Sequence, residues 1–160
     1  MSSSAGRHGL LPAIALLLGT VGAGVAGVLV LADGPVEVGM PPAADHPACV
    51  AAARHWPEEL QGLVPRETEP SGPSIRAWGD PAIVARCGMP ALGPTQDQCV
   101  VVDEIGWVAE ELGDGTRLTT YGRDPAIEVI VPDDHGPGPL LLPAFSDAVE
   151  ELPTNGRECS

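Results

Sequence analysis

The side chains able to do chemistry are few and scattered along the chain. Away from the termini the serines are Ser71, Ser74 and Ser146. None of them sits in a G-x-S-x-G elbow or an S-x-x-K pair. The histidines are His8, His46, His55 and His135, so a nucleophile–base–acid triad would have to be assembled in space from distant segments. The acids come as neighbours: Glu58-Glu59, Asp103-Glu104, Glu110-Glu111, Asp133-Asp134 and Glu150-Glu151. Adjacent side chains diverge in both helices and strands, so such pairs read as solvated surface rather than working dyads. Asp133-Asp134-His135-Gly136 and Asp114-Gly115 offer oxygen ligands but lack the alternating acids of a calcium loop, and they read as turns. His46, Cys49 and His55 match no zinc spacing, and there is no C-x-x-C. No phosphate-cradling glycine loop follows a strand. No catalytic residue, metal ligand or cofactor is therefore assigned.

The best residue set for a ligand-binding surface is Trp78, Asp80, Arg86 and Trp107. Two aromatic rings flanked by charge could form a platform, with Arg76 on the same strand face as Trp78. The competing reading is core packing, because the chain holds only three Trp, one Tyr and one Phe. The four cysteines, Cys49, Cys87, Cys99 and Cys159, are most simply two disulfides if the chain is exported. Three pairings are open, and each bridge is worth roughly 2–4 kcal/mol.

The elements that must position these residues follow from pattern. Residues 47–63 read as a first helix with Pro47 in its first turn, and Trp56-Pro57 should kink or break it. Residues 64–73 are polar, hold three prolines and read as a loop. Short β-type runs follow: Ile75–Trp78, Ala82–Arg86, Cys99–Val102, Trp107–Glu110, Arg117–Tyr121 and Ile127–Val131. Gly79-Asp80-Pro81, Asp103–Gly106 and Gly113-Asp114-Gly115 mark tight turns between neighbouring runs. Leu140–Leu152 reads as a C-terminal helix with Pro143 in its first turn. The expected fold is α+β: a helix, an antiparallel meander of about five short strands, and a C-terminal helix.

A 23-residue uncharged run, Leu10–Ala32, precedes this domain. As a helix it would be about 35 Å long, enough to cross a hydrocarbon core of about 30 Å. Arg7 lies before it, and Asp33 and Glu37 lie after it. The positive-inside rule then places residues 1–9 in the cytoplasm and the rest outside. The expectation is a single-pass cell-membrane protein, the alternative being secretion after cleavage following Ala32. Ala15, Gly19, Ala23 and Gly27 stack on one helix face and allow a dimerising anchor. Residues 33–46, rich in Pro and Gly, read as a linker, 47–152 as the extracytoplasmic domain and 153–160 as a tail.

The formal net charge is −14, with no lysine anywhere. Beyond residue 32 seven arginines face 22 acids, a net of −15. Nucleic acid and anionic lipid headgroups both need clustered positive charge, so neither is an expected partner of the domain.

The segment Trp78-Gly79-Asp80-Pro81, with Ile83 and Arg86-Cys87-Gly88, resembles the signature of an actinobacterial family of small exported membrane proteins. That family is known only as a domain of unknown function. Its members carry an apolar leader, a helix with a Cys ending near Leu-Pro, and a W-G-x-P…R-C-G segment. A hydrophobic-N-G-V-x-W segment, a threonine-rich strand and a V-E-V-x-x-P strand follow. The matching positions here are Cys49, Val102–Trp107, Thr119-Thr120 and Ile127–Pro132. Trp56-Pro57 stands in place of Leu-Pro, Asp103-Glu104-Ile105-Gly106 in place of N-G-V-D, and Cys99 and Cys159 look like additions. The resemblance implies Cys49–Cys87 as the family's own bridge, leaving Cys99–Cys159 as the added one. It implies location and fold and carries no mechanism.

The leading functional expectation is a non-enzymatic, membrane-tethered protein that binds an envelope protein or glycan, or assists another membrane protein. One alternative is an envelope enzyme acting on peptidoglycan or lipid precursors. Another is a metal-binding or sensor module with a dimerising anchor.

Overall fold

A computed structural model describes residues 34–159. The apolar run Leu10–Ala32 and its small-residue face at Ala15, Gly19, Ala23 and Gly27 lie outside the described residues. Among the described residues no helix is long and apolar enough to cross a membrane.

The elements in chain order are β1 (Val36–Glu37), α1 (Pro47–Ala52), β2 (Pro65–Arg66), β3 (Thr68–Glu69), β4 (Ile75–Trp78) and β5 (Ile83–Met89). Then come β6 (Gln98–Val102), β7 (Ile105–Glu111), β8 (Gly115–Tyr121), β9 (Ala126–Pro132) and α2 (Ser146–Glu150). β1 and β3 form a small parallel ladder, and the other seven strands form one antiparallel sheet in the order β2-β4-β5-β9-β8-β7-β6. The α+β class holds, with a correction to the sheet. Strands β6 to β9 are a true meander, but β9 returns beside β5, and a short edge strand lies in the stretch expected to be loop. Pro65 is tolerated there because an edge strand can spare one N–H.

Both helices are shorter than the sequence pattern suggests, and proline is the cause in each. His46 caps α1, its ring accepting from the Ala48 N–H at 3.2 Å, and Pro47 occupies the first turn. After a 3-10 turn at Ala53–His55, Trp56 is extended (ψ 135°), as the residue before Pro57 prefers. At the other end, residues 138–145 form a 3-10 segment with Pro143 inside it, and only Ser146–Glu150 is α-helical.

One face of the sheet carries the hydrophobic core. Trp78, Ile83, Ala85, Cys87, Trp107, Leu118, Ile127, Val129 and Val131 pack there against Cys49, Ala52, Leu142, Phe145 and Val149. Phe145 is at the centre, its ring edge-to-face with Trp78 at 5.8 Å and Trp56 at 6.2 Å. The register puts Ile75, Ala77, Val84 and Val108 on the opposite face, outside that cluster.

Residues 34–46 form no free linker. The Val36 and Val38 N–H groups donate to the Glu67 and Glu69 carbonyls, and Arg66 Nη2 donates to Gly34 O at 3.1 Å. The Ala43 N–H donates to Gly88 O at 3.0 Å. Gly88 has φ +109°, and a Cβ there would stand 2.5 Å from the Ala43 backbone. Only glycine lets this segment lie on β5 at the bulge between Cys87 and Met89.

Candidate functional site

The most polar construction in the domain crosses four strands on the face away from the core. Arg86 on β5 stands opposite Glu128 on β9, and Arg117 on β8 stands opposite Glu110 on β7. Arg86 Nε donates to Glu128 Oε1 at 2.7 Å, and Arg86 Nη1 donates to Gly39 O at 3.0 Å. Arg117 Nε lies 3.4 Å from Glu128 Oε2 without a well-directed hydrogen bond, and its Nη1 donates to Glu110 at 2.8 Å. Glu128 is 4 % exposed. Each of its oxygens faces a guanidinium, so it acts as a tie across β5, β9 and β8. A carboxylate this buried is tolerable only when paired. Sequence reasoning missed it, although one acid within the apolar run Ile127–Val131 is its signal.

The four residues expected to form a ligand surface are not brought together. Trp78 and Trp107 are both 0 % exposed, on the core face, four strand positions apart. At about 4.8 Å per strand their backbones are at least roughly 19 Å apart, and the register offsets them further along the strands. Trp78 donates its indole N–H to Pro57 O at 3.1 Å. Arg86 lies on the opposite face, held by Glu128. Asp80 is exposed in the β4–β5 turn, 3.9 Å from Arg66 Nη1. The two rings are core, packed on the same face as Ile83, Leu118, Ile127 and Val129.

His55, His135 and Ser146 each have a structural partner. His55 Nε2 lies 3.3 Å from Glu151. His135 Nε2 lies 2.6 Å from Pro81 O, joining the loop after β9 to the turn before β5. Ser146 Oγ donates to Asp103 at 2.8 Å, tying α2 to the β6–β7 turn. Among the described residues no group of three or more His, Cys, Asp or Glu is placed to hold a metal ion.

All four cysteines are paired, as Cys49–Cys87 and Cys99–Cys159, with Cα separations of 5.4 and 5.7 Å. Both separations suit a disulfide. The first joins α1 to the core face of β5. The second joins the C-terminal tail to the edge strand β6.

The family described as "Protein of unknown function (DUF3515)" matches residues 11–156. The chain belongs to that family. The DUF3515 match takes in the apolar run as well as the domain, and it includes Cys49, Cys87 and Cys99 while stopping short of Cys159. No curated protein and no solved structure matches the chain.

Proposed function

We propose that the protein is an extracytoplasmic accessory protein, held at the membrane by Leu10–Ala32, whose domain binds a cell-envelope component without transforming it. The observation that carries this reading is the pairing of all four cysteines. Structural disulfides form and persist in oxidising compartments. The charges around the apolar run support the same orientation. A product cut after Ala32 would keep the whole domain.

Binding rather than catalysis is supported by how the reactive side chains are used. His46 caps a helix, His55 pairs with Glu151, His135 holds Pro81 and Ser146 holds Asp103. The envelope in question is an actinobacterial one on this reading, supported by the signature residues Trp78–Pro81 and Arg86–Gly88 and by the lysine-free composition.

A membrane-impermeant thiol reagent on intact cells tests the location. It should label nothing until an impermeant reductant is added, and then label the chain. Labelling only after lysis, without reductant, would place the domain inside and end the proposal. Crosslinking in intact cells should then recover a specific envelope protein or glycan, and recovery of none would remove the binding half.

A further inference from the structure

The two edges of the seven-stranded sheet are built differently. The β2 edge is two residues long and begins with Pro65, both common protections against further pairing. The β6 edge, Gln98-Cys99-Val100-Val101-Val102, is five residues long and has no charge, proline or bulge. Asp103 and Glu104 form the two-residue turn to β7 with φ +50° and +63°. Such a turn closes on a mutually hydrogen-bonded pair, here Val102 and Ile105. Alternation then has Val100 and Gln98 also bonding inward, while Cys99 and Val101 direct both N–H and C=O away from the sheet. Among the described residues neither backbone has a hydrogen-bond partner on that side. Val101 is 61 % exposed, and the Cys99–Cys159 bridge pins the strand in place.

We infer that β6 accepts an extended, basic segment of another protein as an added antiparallel strand. This rests on the binding reading above and names the surface and the partner's chemistry. Acids bracket the edge, with Asp97 at one end and Asp103 and Glu104 at the other, all exposed, in a chain whose residues beyond 32 carry a net charge of −15. A second copy is disfavoured in the register that pairs the whole edge, and it brings the same negative charge. The two-fold register that pairs Cys99 with Val101 of a second copy sets Asp97 opposite Asp103, and like charges directly opposite are unfavourable. A basic strand meets attraction at both ends. A cavity of about 530 Å³ beside Val101, lined also by Glu104, Gly106, Tyr121 and Glu158, can take one of its side chains. Arg123 and Arg157, at the same cavity, already donate to the Leu152 and Leu92 carbonyls. Backbone pairing supplies the affinity of such strand addition, and pockets for alternate side chains supply its specificity.

The test uses the full chain in detergent micelles, with disulfides intact, and two capped peptides, R-T-V-T-V-T-R and E-T-V-T-V-T-E. Residue-resolved hydrogen exchange should slow by about tenfold or more at Cys99 and Val101 with the basic peptide alone, while the already bonded Val100 and Val102 change little. Val101→Pro, which removes an outward N–H, and Val101→Lys, which keeps it but adds repulsion, should each weaken peptide binding by about tenfold or more. Unchanged exchange at Cys99 and Val101, equal protection by the acidic peptide, or undiminished binding by the folded Val101→Lys variant overturns the inference. So does protection of β6 that rises with protein concentration in the absence of peptide, because the occupant would then be a second copy. If intact-cell crosslinking recovers a partner while the peptide leaves β6 unprotected, the inference about β6 fails and the binding reading stands.

Discussion

The two disulfides close loops of similar size in unlike surroundings. Cys49–Cys87 spans 38 residues and Cys99–Cys159 spans 60. Loop entropy alone makes each worth about 4 kcal/mol, with a difference of only a few tenths. Cys49 and Cys87 are fully buried, whereas Cys99 and Cys159 are half-buried at an edge. The first bridge is thus part of the core, and the second restrains one strand and the tail. Their environments, rather than the lengths of chain they close, should separate them experimentally.

Replacing both Cys49 and Cys87 by Ala should give the largest loss, about 5 kcal/mol or more by chemical denaturation, because a cavity adds to the lost restraint. Replacing both Cys99 and Cys159 by Ala should cost about 4 kcal/mol at most and speed amide exchange chiefly in β6 and the tail. Equal losses with equally widespread exchange would mean that burial does not distinguish the bridges. The Arg86→Ala change probes the core-side bridge's own strand from its other face. It should cost about 3 kcal/mol, since it leaves the Glu128 carboxylate buried with only its weaker partner. If Arg86→Ala and the exposed Glu110→Ala cost the same in unfolding experiments, the tie at Glu128 is not what holds β5 to β9. The smallest effect is expected at the other bridge's strand. Glu104→Gly should raise stability by about 0.5–1 kcal/mol by relieving a left-handed backbone at a non-glycine residue. A lower melting temperature for that variant would contradict the turn geometry.

Much of the sheet is legible from alternation and turn chemistry. β4 spans the residues expected, and the other long strands differ from expectation only at their ends. The helices were harder to read. Periodicity across 47–63 and 140–152 fits a helix, yet Pro57, Pro139 and Pro143 remove donors and restrict their neighbours, so tertiary packing settles on short turns. The early position of residues 34–46 was illegible for another reason. Proline and glycine mark a linker by composition, but here the backbone itself makes the contacts, at Val36, Val38, Gly39 and Ala43. Residue type alone marks Trp78, Asp80, Arg86 and Trp107 as a surface, and it cannot tell a stacking platform from core. Trp78 is covered by Phe145, which meets its ring edge-to-face and lies far away in sequence. The Glu128 tie needs the β5–β9 register, a pairing of residues 42 apart that no local pattern encodes.

The exposed stretch after β5, residues 93–97, lies between the two covalent loops, with Cys49 and Cys87 before it and Cys99 and Cys159 after it. A single cut at Gly93 would therefore leave two fragments with no bond between them, each cyclised by its own bridge. The β5–β9 ladder, the shared core, the Arg86–Glu128 and His55–Glu151 pairs and the hydrogen bonds from His135 to Pro81 O and from Arg157 to Leu92 O would hold them together without a covalent bond. In covalent terms the domain is thus two separate loops, which non-covalent contacts alone would keep together after such a cut.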